Sequence, residues 1–195
     1  DKLISKKIFI KNKIKTPKYF SINSLEFRKN ILKKLIFRSG LEFPMIVKPS
    51  NEGSSIGVKI CQNFNVLKKN INVLLKSYKT LIIEKYIGGR EIQVAVMNGK
   101  ALGAIELRPK RKFYDFKAKY SKSANTKHIM PANLSKKKYK EVLSLAKKAH
   151  KVLNCRGITR SDFKLENNKF SILEINTQPG MTKLSLVPEI AKFAG

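Results

Sequence analysis

Hydrophobic residues follow two spacings along the chain, one typical of helices and one typical of strands. Helical spacing occurs at residues 3–8, 24–36, 65–76 and 136–153, the last of these after a capping Ser135. Short apolar segments at 19–22, 45–48, 58–61 and 81–83 have the length of strands. The helix over 24–36 is predicted as one element capped by Asn23 or Ser24 and ended by Gly40. Its buried stripe is predicted to be Leu25, Ile31, Leu32, Leu35 and Ile36.

Two hairpins are predicted in the second half of the chain. Asn98-Gly99, a strong type I′ turn signal, joins a strand over 91–97 to one over 101–107. Asn167-Asn168 joins strands over 157–165 and 170–175, and a loop over 177–185 leads into a final helix. Residues 109–127 have no clear period and many charges, so we interpret them as a long functional loop. The pattern predicts an α+β fold of antiparallel sheets with packed helices, divided near residues 86–89 into lobes 1–86 and 87–195.

Composition is compatible with a folded protein in a reducing compartment. Of the 195 residues 42% are hydrophobic, enough for a core. Cys61 and Cys155 lie far apart without metal-binding spacing, so we expect two small buried residues and no disulfide. There is no apolar run of membrane-spanning length and no signal peptide pattern, and we expect a soluble, cytoplasmic protein. Because the chain opens on Asp1 and closes within an apparent helix, we expect a fragment.

The formal charge of +29 raises the alternative of a nucleic-acid-binding module. Forty-two Lys and Arg face 13 Asp and Glu, and a basic surface attracts phosphate backbones. The lysines are nevertheless spread along polar helix faces, and no arginine-rich tail, RNP-type aromatic motif or helix-turn-helix pattern accompanies them. We favour a solvated basic surface without a specific nucleic-acid partner; the alternative predicts salt-sensitive affinity for polynucleotide and indifference to Asp162→Ala.

The loop after Lys48 has the composition of a phosphate-binding loop. Gly53 and Gly57 free the backbone to curl, and Ser54 and Ser55 add hydroxyl groups, so several N–H groups could converge on a phosphate oxygen. Lys48 would place a cation beside them. An ordinary polar hairpin loop is the alternative.

Two pairs of polar residues on the second hairpin predict a magnesium site. Arg160 and Asp162 lie two apart on one strand, as do Glu174 and Asn176 on the other. Residues two apart face one side of a strand, so pairing places these side chains together. Magnesium prefers oxygen ligands and often shares them with phosphates. The alternative is a solvent-exposed polar face with an Arg–Asp pair, against which neighbouring apolar residues argue, namely Ile172, Leu173 and Ile175.

Two further segments are weaker candidates. A Pro-Gly turn at Gly180 would present a backbone N–H beside the metal and Arg160, as an oxyanion needs, although a tight turn without another role is the alternative. Residues 84–87 stand at the predicted division between the lobes, where backbone and apolar groups suit an adenine. Glu91 could accept hydrogen bonds from ribose hydroxyls.

Together these segments resemble the ATP-grasp superfamily and, within it, the D-alanine–D-alanine ligases. The resemblance is colinear over nearly the whole chain. It is carried by Asp1-Lys2, V-K-P-S-x-E-G-S-S-x-G at 47–57, I-E-K-Y at 83–86, E-I-x-V-A at 91–95, F-Y-D-F-x-A-K-Y at 113–120 and L-E-x-N-T-x-P-G-M-T-x-x-S-L-V-P at 173–188. The loop at 113–120 and the run at 176–182 occur together in few other ATP-grasp enzymes.

The resemblance implies roles for the nucleotide-binding residues. Lys2 and Lys48 would contact the α- and β-phosphates, while adenosine would be held by Glu84, Lys85, Tyr86, Ile87 and Glu91. Residues 109–127 would be an ω-loop that brings Lys119 to the γ-phosphate. Asp162, Glu174 and Asn176 would bind two magnesium ions, with manganese as a substitute.

It also implies the reaction, ATP-dependent ligation of two D-alanines through an acyl phosphate for peptidoglycan precursor synthesis. Arg160 and the Gly180 N–H would stabilise the tetrahedral intermediate. The substrates would further meet Tyr120, Ser54, Ser185 and the Leu186 backbone. Tyrosine at position 120 goes in the family with D-alanine, not D-lactate, as the acceptor.

Two departures from the family pattern accompany this resemblance. Gln178 replaces a small hydroxyl residue, and the family's amino-terminal domain is absent, so we expect this chain alone to be an incomplete enzyme and the full-length protein to be a homodimer. The alternatives are another ATP-grasp carboxylate–amine ligase and an inactive paralogue.

Overall fold

The computed structural model describes residues 1–53, 55–109, 126–182 and 184–195. In chain order the elements are α1 (Lys2–Lys11), β1 (Tyr19–Asn23), α2 (Ser24–Arg28), α3 (Leu32–Ser39), β2 (Met45–Pro49), β3 (Lys59–Cys61), α4 (Phe64–Leu74), β4 (Thr80–Lys85), β5 (Arg90–Met97), β6 (Lys100–Arg108), β7 (Lys127–Ile129), α5 (Lys136–Val152), β8 (Ile158–Glu166), β9 (Lys169–Asn176) and α6 (Leu186–Ala194). Helices and antiparallel sheets coexist, which confirms the predicted α+β class.

The chain forms two compact units. The first comprises Asp1–Leu3 and Pro17–Ile87, and the second comprises Ile4–Thr16 and Gly88–Gly195. The predicted lobes, 1–86 and 87–195, differ from these units in the assignment of residues 4–16 and of Ile87. As lobes of an ATP-grasp fold they stay a prediction.

In the first unit a four-stranded antiparallel sheet carries the core. Its strand order is β1-β4-β2-β3, and α4 packs the buried Leu67 and Ile71 against it. Met45, Val47 and Ile83 join the same core cluster. Every residue of β2 is buried, which explains why Met45, Ile46 and Val47 are consecutive apolar residues that do not alternate with polar ones.

The single helix predicted over 24–36 is wrong, because the chain forms α2 and α3 with a break between them. Asn23 and Glu26 make a reciprocal capping box at the start of α2. Asn30 then adopts a left-handed conformation (φ 53°) that helical backbone does not allow. As a result Leu25, predicted to be buried, is 62% exposed, whereas Leu32 is buried. Gly40 follows the end of α3, as predicted, and it adopts a left-handed conformation.

In the second unit a five-stranded antiparallel sheet has the order β7-β6-β5-β8-β9. One face packs against α1 and α5, and its buried cluster includes Phe9, Val94, Ala146 and Phe163. On the other face α6 covers Ala95, Ile105 and Leu107 with Leu186, Val187 and Ile190. The remainder of that second face carries polar side chains from β5, β8 and β9.

The predicted hairpins are confirmed. Asn98 and Gly99 have φ values of 48° and 77°, as a type I′ turn requires, and Asn167 and Asn168 have 48° and 60°. Strand β7 was missed: Lys127 pairs with Arg108 at the sheet edge, so residue 127 belongs to a strand and not to the predicted loop. Three residues without apolar alternation leave no local signal for such an edge strand.

An ion-pair network at the start of β5 was also missed. Glu106 is fully buried, accepts two hydrogen bonds from Arg90 (2.9 and 2.6 Å) and one from Arg108 (2.8 Å). Burial alone would raise the pKa of Glu106, but the hydrogen bonds and charges of the two arginines outweigh it, and the net pKa lies below the ordinary value. Arg90 is thereby anchored immediately before Glu91.

None of the helices within the described ranges combines the length and hydrophobicity needed to traverse a lipid bilayer.

Candidate functional site

The β8–β9 hairpin brings the four predicted polar residues together. Asp162 lies opposite Glu174, and Arg160 lies opposite Asn176. Directly opposed residues of an antiparallel pair have Cβ atoms about 5 Å apart. The predicted side-by-side placement of the two pairs is therefore confirmed.

A β-bulge makes this placement possible. The register shifts between Asp162 and Phe163, whose partners are Glu174 and Ile172, so Leu173 is the extra residue on β9. In a regular strand Glu174 would face the same side as Ile172, which is buried in the core cluster. The extra residue turns Glu174 to the side of Asp162, and bulges commonly re-aim side chains in this way.

Arg160 and Asp162 form a bidentate ion pair. The guanidinium donates to both carboxylate oxygens, at 2.8 Å to Oδ1 and 3.0 Å to Oδ2. Asp162 is 4% exposed, and Arg160, Glu174 and Asn176 are intermediate. The alternative of a solvent-exposed polar face is therefore wrong, although the Arg–Asp pair that it assumed is present.

The oxygen atoms on this face fit magnesium. Asp162 and Glu174 supply carboxylates and Asn176 an amide oxygen, a donor set of the kind that magnesium prefers. No group of three or more His, Cys, Asp or Glu side chains that could hold a metal ion occurs in the described part of the chain. A third protein ligand at this hairpin would therefore be the amide of Asn176, whose Oδ1 accepts the Gln178 N–H at 3.0 Å.

Two residues that sequence reasoning did not select extend the polar row along β5 and β8. Gln93 lies opposite Asp162, and Lys164 lies opposite Glu91. Both contact the Glu91 carboxylate, Gln93 through its amide nitrogen (3.2 Å) and Lys164 through its ammonium (3.2 Å). Their local sequence is that of an ordinary strand, and only the β5–β8 register identifies them.

The loop after β9 brings Gly180 and Ser185 into contact. A Cβ on Gly180 would lie 2.8 Å from Ser185 Oγ, so a larger residue would displace that hydroxyl. Ser185 Oγ accepts the Thr182 N–H (3.1 Å) and lies 2.9 Å from Thr182 Oγ1. Leu186 follows as the first residue of α6, so its N–H lies at a helix N-terminus, where carboxylates bind favourably.

In the first unit Lys48 and Glu84 form a buried ion pair with 2.5 Å between Nζ and Oε1. They lie on adjacent strands, where Ile46 is the partner of Glu84 and Ile82 the partner of Lys48. Only 7% and 4% of their side chains are exposed. Lys48 therefore does lie at the end of a buried strand, with its charge already compensated by Glu84.

Lys2 contacts the loop that follows Lys48. Its backbone N–H donates to the Ser50 carbonyl oxygen (3.0 Å), and its ammonium donates to the Glu52 carbonyl oxygen. The loop contains left-handed backbone at Ser55 (φ 62°) and Gly57 (φ 70°). Ser54 lies outside the described residues.

The remaining predicted residues fall into two groups. Lys85 is exposed, and its N–H donates to the Lys18 carbonyl oxygen (2.9 Å). The Tyr86 N–H donates to the Pro44 carbonyl oxygen (3.3 Å), and Ile87 follows at the end of the first unit. Lys119 and Tyr120, together with residues 110–125, lie outside the described residues.

The fold is ATP-grasp. It consists of two antiparallel sheets with helices. One sheet bears carboxylate and amide oxygens, and the other bears a buried lysine before a glycine-containing loop. The family model described as "D-ala D-ala ligase C-terminus" matches residues 8–195. The chain belongs to this family.

Known proteins of the family match the whole chain. A D-alanine–D-alanine ligase from Pelagibacter ubique (strain HTCC1062) is 60% identical over 195 residues, covering 100% of this chain and 63% of the relative. The crystal structure of a D-alanine–D-alanine ligase from Bacillus anthracis has a TM-score of 0.83 at 33% identity, covering 100% of this chain and 62% of that one. The same ligase complexed with ATP has a TM-score of 0.82 at 30% identity, covering 100% and 60%. This chain thus spans under two thirds of the length of these relatives.

Proposed function

We propose that the protein catalyses the ATP-dependent ligation of two D-alanines to D-alanyl-D-alanine through an acyl-phosphate intermediate. The observation that carries the proposal is the polar face of the β8–β9 hairpin. There Arg160, Asp162, Glu174 and Asn176 lie together in a chain that belongs to the D-Ala–D-Ala ligase family.

The proposed reaction has two steps, phosphoryl transfer and then acyl transfer. A carboxylate oxygen of the first D-alanine attacks the γ-phosphorus of ATP, the bond to the β-phosphate oxygen breaks, and ADP leaves. The amine of the second D-alanine then attacks the acyl carbonyl carbon, and inorganic phosphate departs with the former carboxylate oxygen while the amine loses its proton. Positioning and charge neutralisation provide most of the acceleration, because phosphoryl transfer needs little covalent help from a protein.

The nucleotide is bound through its phosphates and its adenosine. Lys48 and Lys2 contact the α- and β-phosphates; the burial of Lys48 and the contact of Lys2 with the Ser50–Glu52 segment support these roles. Glu84, Lys85, Tyr86 and Ile87 hold the adenine, and Glu91 accepts from the ribose hydroxyls. The ATP complex of the Bacillus anthracis ligase is consistent with nucleotide binding in this fold.

Asp162, Glu174 and Asn176 hold magnesium, two ions in all. When bound, the metal neutralises phosphate charge. The mixed carboxylate and amide donor set supports this role, and Arg160 pairs with the Asp162 carboxylate on the same face.

The acceptor half of the site binds an anion and a developing oxyanion. Arg160 and the Gly180 N–H stabilise the tetrahedral intermediate, while Ser185 and the Leu186 N–H bind the carboxylate of the second D-alanine. The contact between Gly180 and Ser185 and the position of Leu186 at the start of α6 support these roles. Lys119, Tyr120 and Ser54 take their roles from the family resemblance, with Tyr120 favouring D-alanine over D-lactate.

The cellular setting follows from the same proposal. The product serves peptidoglycan precursor synthesis in the cytoplasm, the full-length protein is a homodimer, and ATP and D-alanine are its ligands without a specific nucleic acid.

The test is magnesium-dependent ADP release by the full-length protein on addition of D-alanine. Asp162→Asn and Glu174→Gln keep the side-chain shape but remove a charged oxygen ligand, and we expect each to lower turnover about 100-fold or more. Glu141→Gln, which removes a carboxylate from α5, is the matched control and should retain full activity. Circular dichroism of each variant verifies folding. Folded Asp162→Asn protein with normal ADP release would sink the proposal.

A further inference from the structure

We propose that Gln93 and Lys164 are positioning residues that hold the Glu91 carboxylate for the nucleotide ribose and thereby set the discrimination between ribose and deoxyribose. This inference rests on the proposed function, in which Glu91 accepts from the ribose hydroxyls.

The contacts on Glu91 come from two sides. Gln93 Nε2 donates to Oε1 at 3.2 Å, and Lys164 Nζ lies 3.2 Å from Oε2. Each carboxylate oxygen therefore has its own donor. The terminal torsion of a glutamate is otherwise soft, so two donors on different oxygens fix the plane in which the remaining lone pairs lie.

The strand register keeps the three residues on one face. Glu91 and Gln93 lie two apart on β5, and their partners on β8 are Lys164 and Asp162. Gln93 therefore stands between the carboxylate proposed for ribose and the carboxylate proposed for magnesium. A residue at that position can orient Glu91 without itself contacting the phosphates.

Gln93 is difficult to explain as a packing residue. It is 0% exposed, and its Oε1 has no hydrogen-bond partner within the described residues. An unpaired buried acceptor is costly, and an apolar side chain of similar size would avoid that cost. Its neighbour on β6 is the buried Ile105, so on that side an apolar side chain would meet an apolar partner. The hydrogen bond from its amide nitrogen to Glu91 explains why a glutamine occupies position 93, because an apolar side chain has no donor.

Lys164 complements this arrangement through its charge. Glu91 is buried, and a buried carboxylate requires a cation or donors to stay ionised. An ionised carboxylate accepts stronger hydrogen bonds from hydroxyl groups than a protonated one. The charge of the lysine thus compensates the buried carboxylate that is proposed to meet the ribose.

The experiment measures the affinity of the full-length protein for ATP, 2′-deoxy-ATP and 3′-deoxy-ATP in the presence of magnesium, by calorimetry. For the wild type we expect loss of a contacted hydroxyl to weaken binding about tenfold. In Gln93→Met and in Lys164→Met the affinity for ATP should fall toward the affinity for whichever deoxy-ATP lacks the contacted hydroxyl. The affinity for that deoxy-ATP should change little. The exposed Gln62→Met and Lys148→Met are matched controls and should keep the wild-type ratio.

A second measurement separates positioning from packing. Thermal unfolding of Gln93→Met should show little net loss of stability, because removal of the unpaired acceptor offsets the lost hydrogen bond to Glu91. A Gln93→Met variant that weakens all three nucleotides equally, or that keeps the wild-type ratio, overturns the inference. If the wild type binds ATP without preferring ribose, the ribose-positioning inference at Glu91 is refuted and the ligase proposal stands. If the wild type binds no ATP, the proposed function itself is refuted.

Discussion

Among single residues of the first unit, Lys48 and Glu84 carry the largest electrostatic consequence. They pair at 2.5 Å inside a sheet whose interior is otherwise mainly apolar. Breaking a buried pair leaves one charge uncompensated, whereas replacing both members by apolar residues is often neutral. The contribution of the pair to the free energy of unfolding and its contribution to ATP binding can therefore be separated by substitution.

We expect Lys48→Met to lower the free energy of unfolding by about 3 kcal/mol, because the substitution breaks the buried ion pair with Glu84. The double variant Lys48→Met/Glu84→Leu should recover most of that loss but not the affinity for ATP. Urea unfolding followed by circular dichroism and ATP titration measure the two quantities. Lys59→Met, on the exposed side of β3, is the control. Restored ATP affinity in the double variant would contradict a phosphate-binding role for Lys48.

Site residues could be predicted to lie together where all of them belong to one local element. Asp162 and Glu174 could be placed on one hairpin because Asn167-Asn168 joins their strands, although the register of that turn alone would pair Asp162 with Leu173, and the bulge brings Glu174 opposite it. Gln93 and Lys164 could not, because β5 and β8 are joined through a long intervening segment and no local turn sets their register. Glu91, the carboxylate that both of them contact, was predicted to accept hydrogen bonds from ribose hydroxyls, whereas its two partners were not predicted.

Among elements, the bulge in β9 and the break between α2 and α3 show where periodicity failed. Each depends on one or a few residues. The bulge arises because Leu173 has no partner on β8, and the helix break occurs where Asn30 takes a left-handed conformation. Apolar spacing is nearly unchanged by a single such residue. The sequence therefore predicted element types and hairpins well, while it missed the break, the bulge and the edge strand β7.

The segment that enters β5 is held closely against the end of β8. The Gly88 N–H donates to Glu166 Oε1 (2.9 Å), and a Cβ on Gly89 would lie 2.2 Å from the Leu165 carbonyl oxygen. Gly89 also has a φ of +73°. Gly99 has nearly the same φ, +77°, but no atom within 4 Å of the added Cβ.

These two glycines make a matched pair of variants. Gly99→Ala should cost about 1–2 kcal/mol of unfolding free energy, the strain of a left-handed alanine. Gly89→Ala should cost about 1–3 kcal/mol more, because the clash with backbone is added. Chemical denaturation of both variants measures the difference. Equal losses would mean that β5 is not held to β8 at this point.

Across the whole molecule, the few acidic residues and the many basic ones are arranged differently. In the described ranges the buried acids are Glu84, Glu91, Glu106 and Asp162, and each contacts a lysine or arginine. The buried lysines there are Lys6 and Lys48. The +29 charge therefore belongs mainly to surface lysines, in agreement with a solvated basic surface, while each buried acid of the described ranges lies beside a basic side chain.

Ligation of two D-alanines through an acyl phosphate transfers one carboxylate oxygen of the first D-alanine to the released phosphate, and isotope labelling detects this transfer. The full-length protein is incubated with ATP, magnesium and D-alanine labelled with ¹⁸O in both carboxylate oxygens, and products are identified by mass spectrometry. We expect D-alanyl-D-alanine, ADP and phosphate in equal amounts, with one ¹⁸O atom in each phosphate. Dipeptide with unlabelled phosphate, formation of AMP, or ADP release without dipeptide would contradict it.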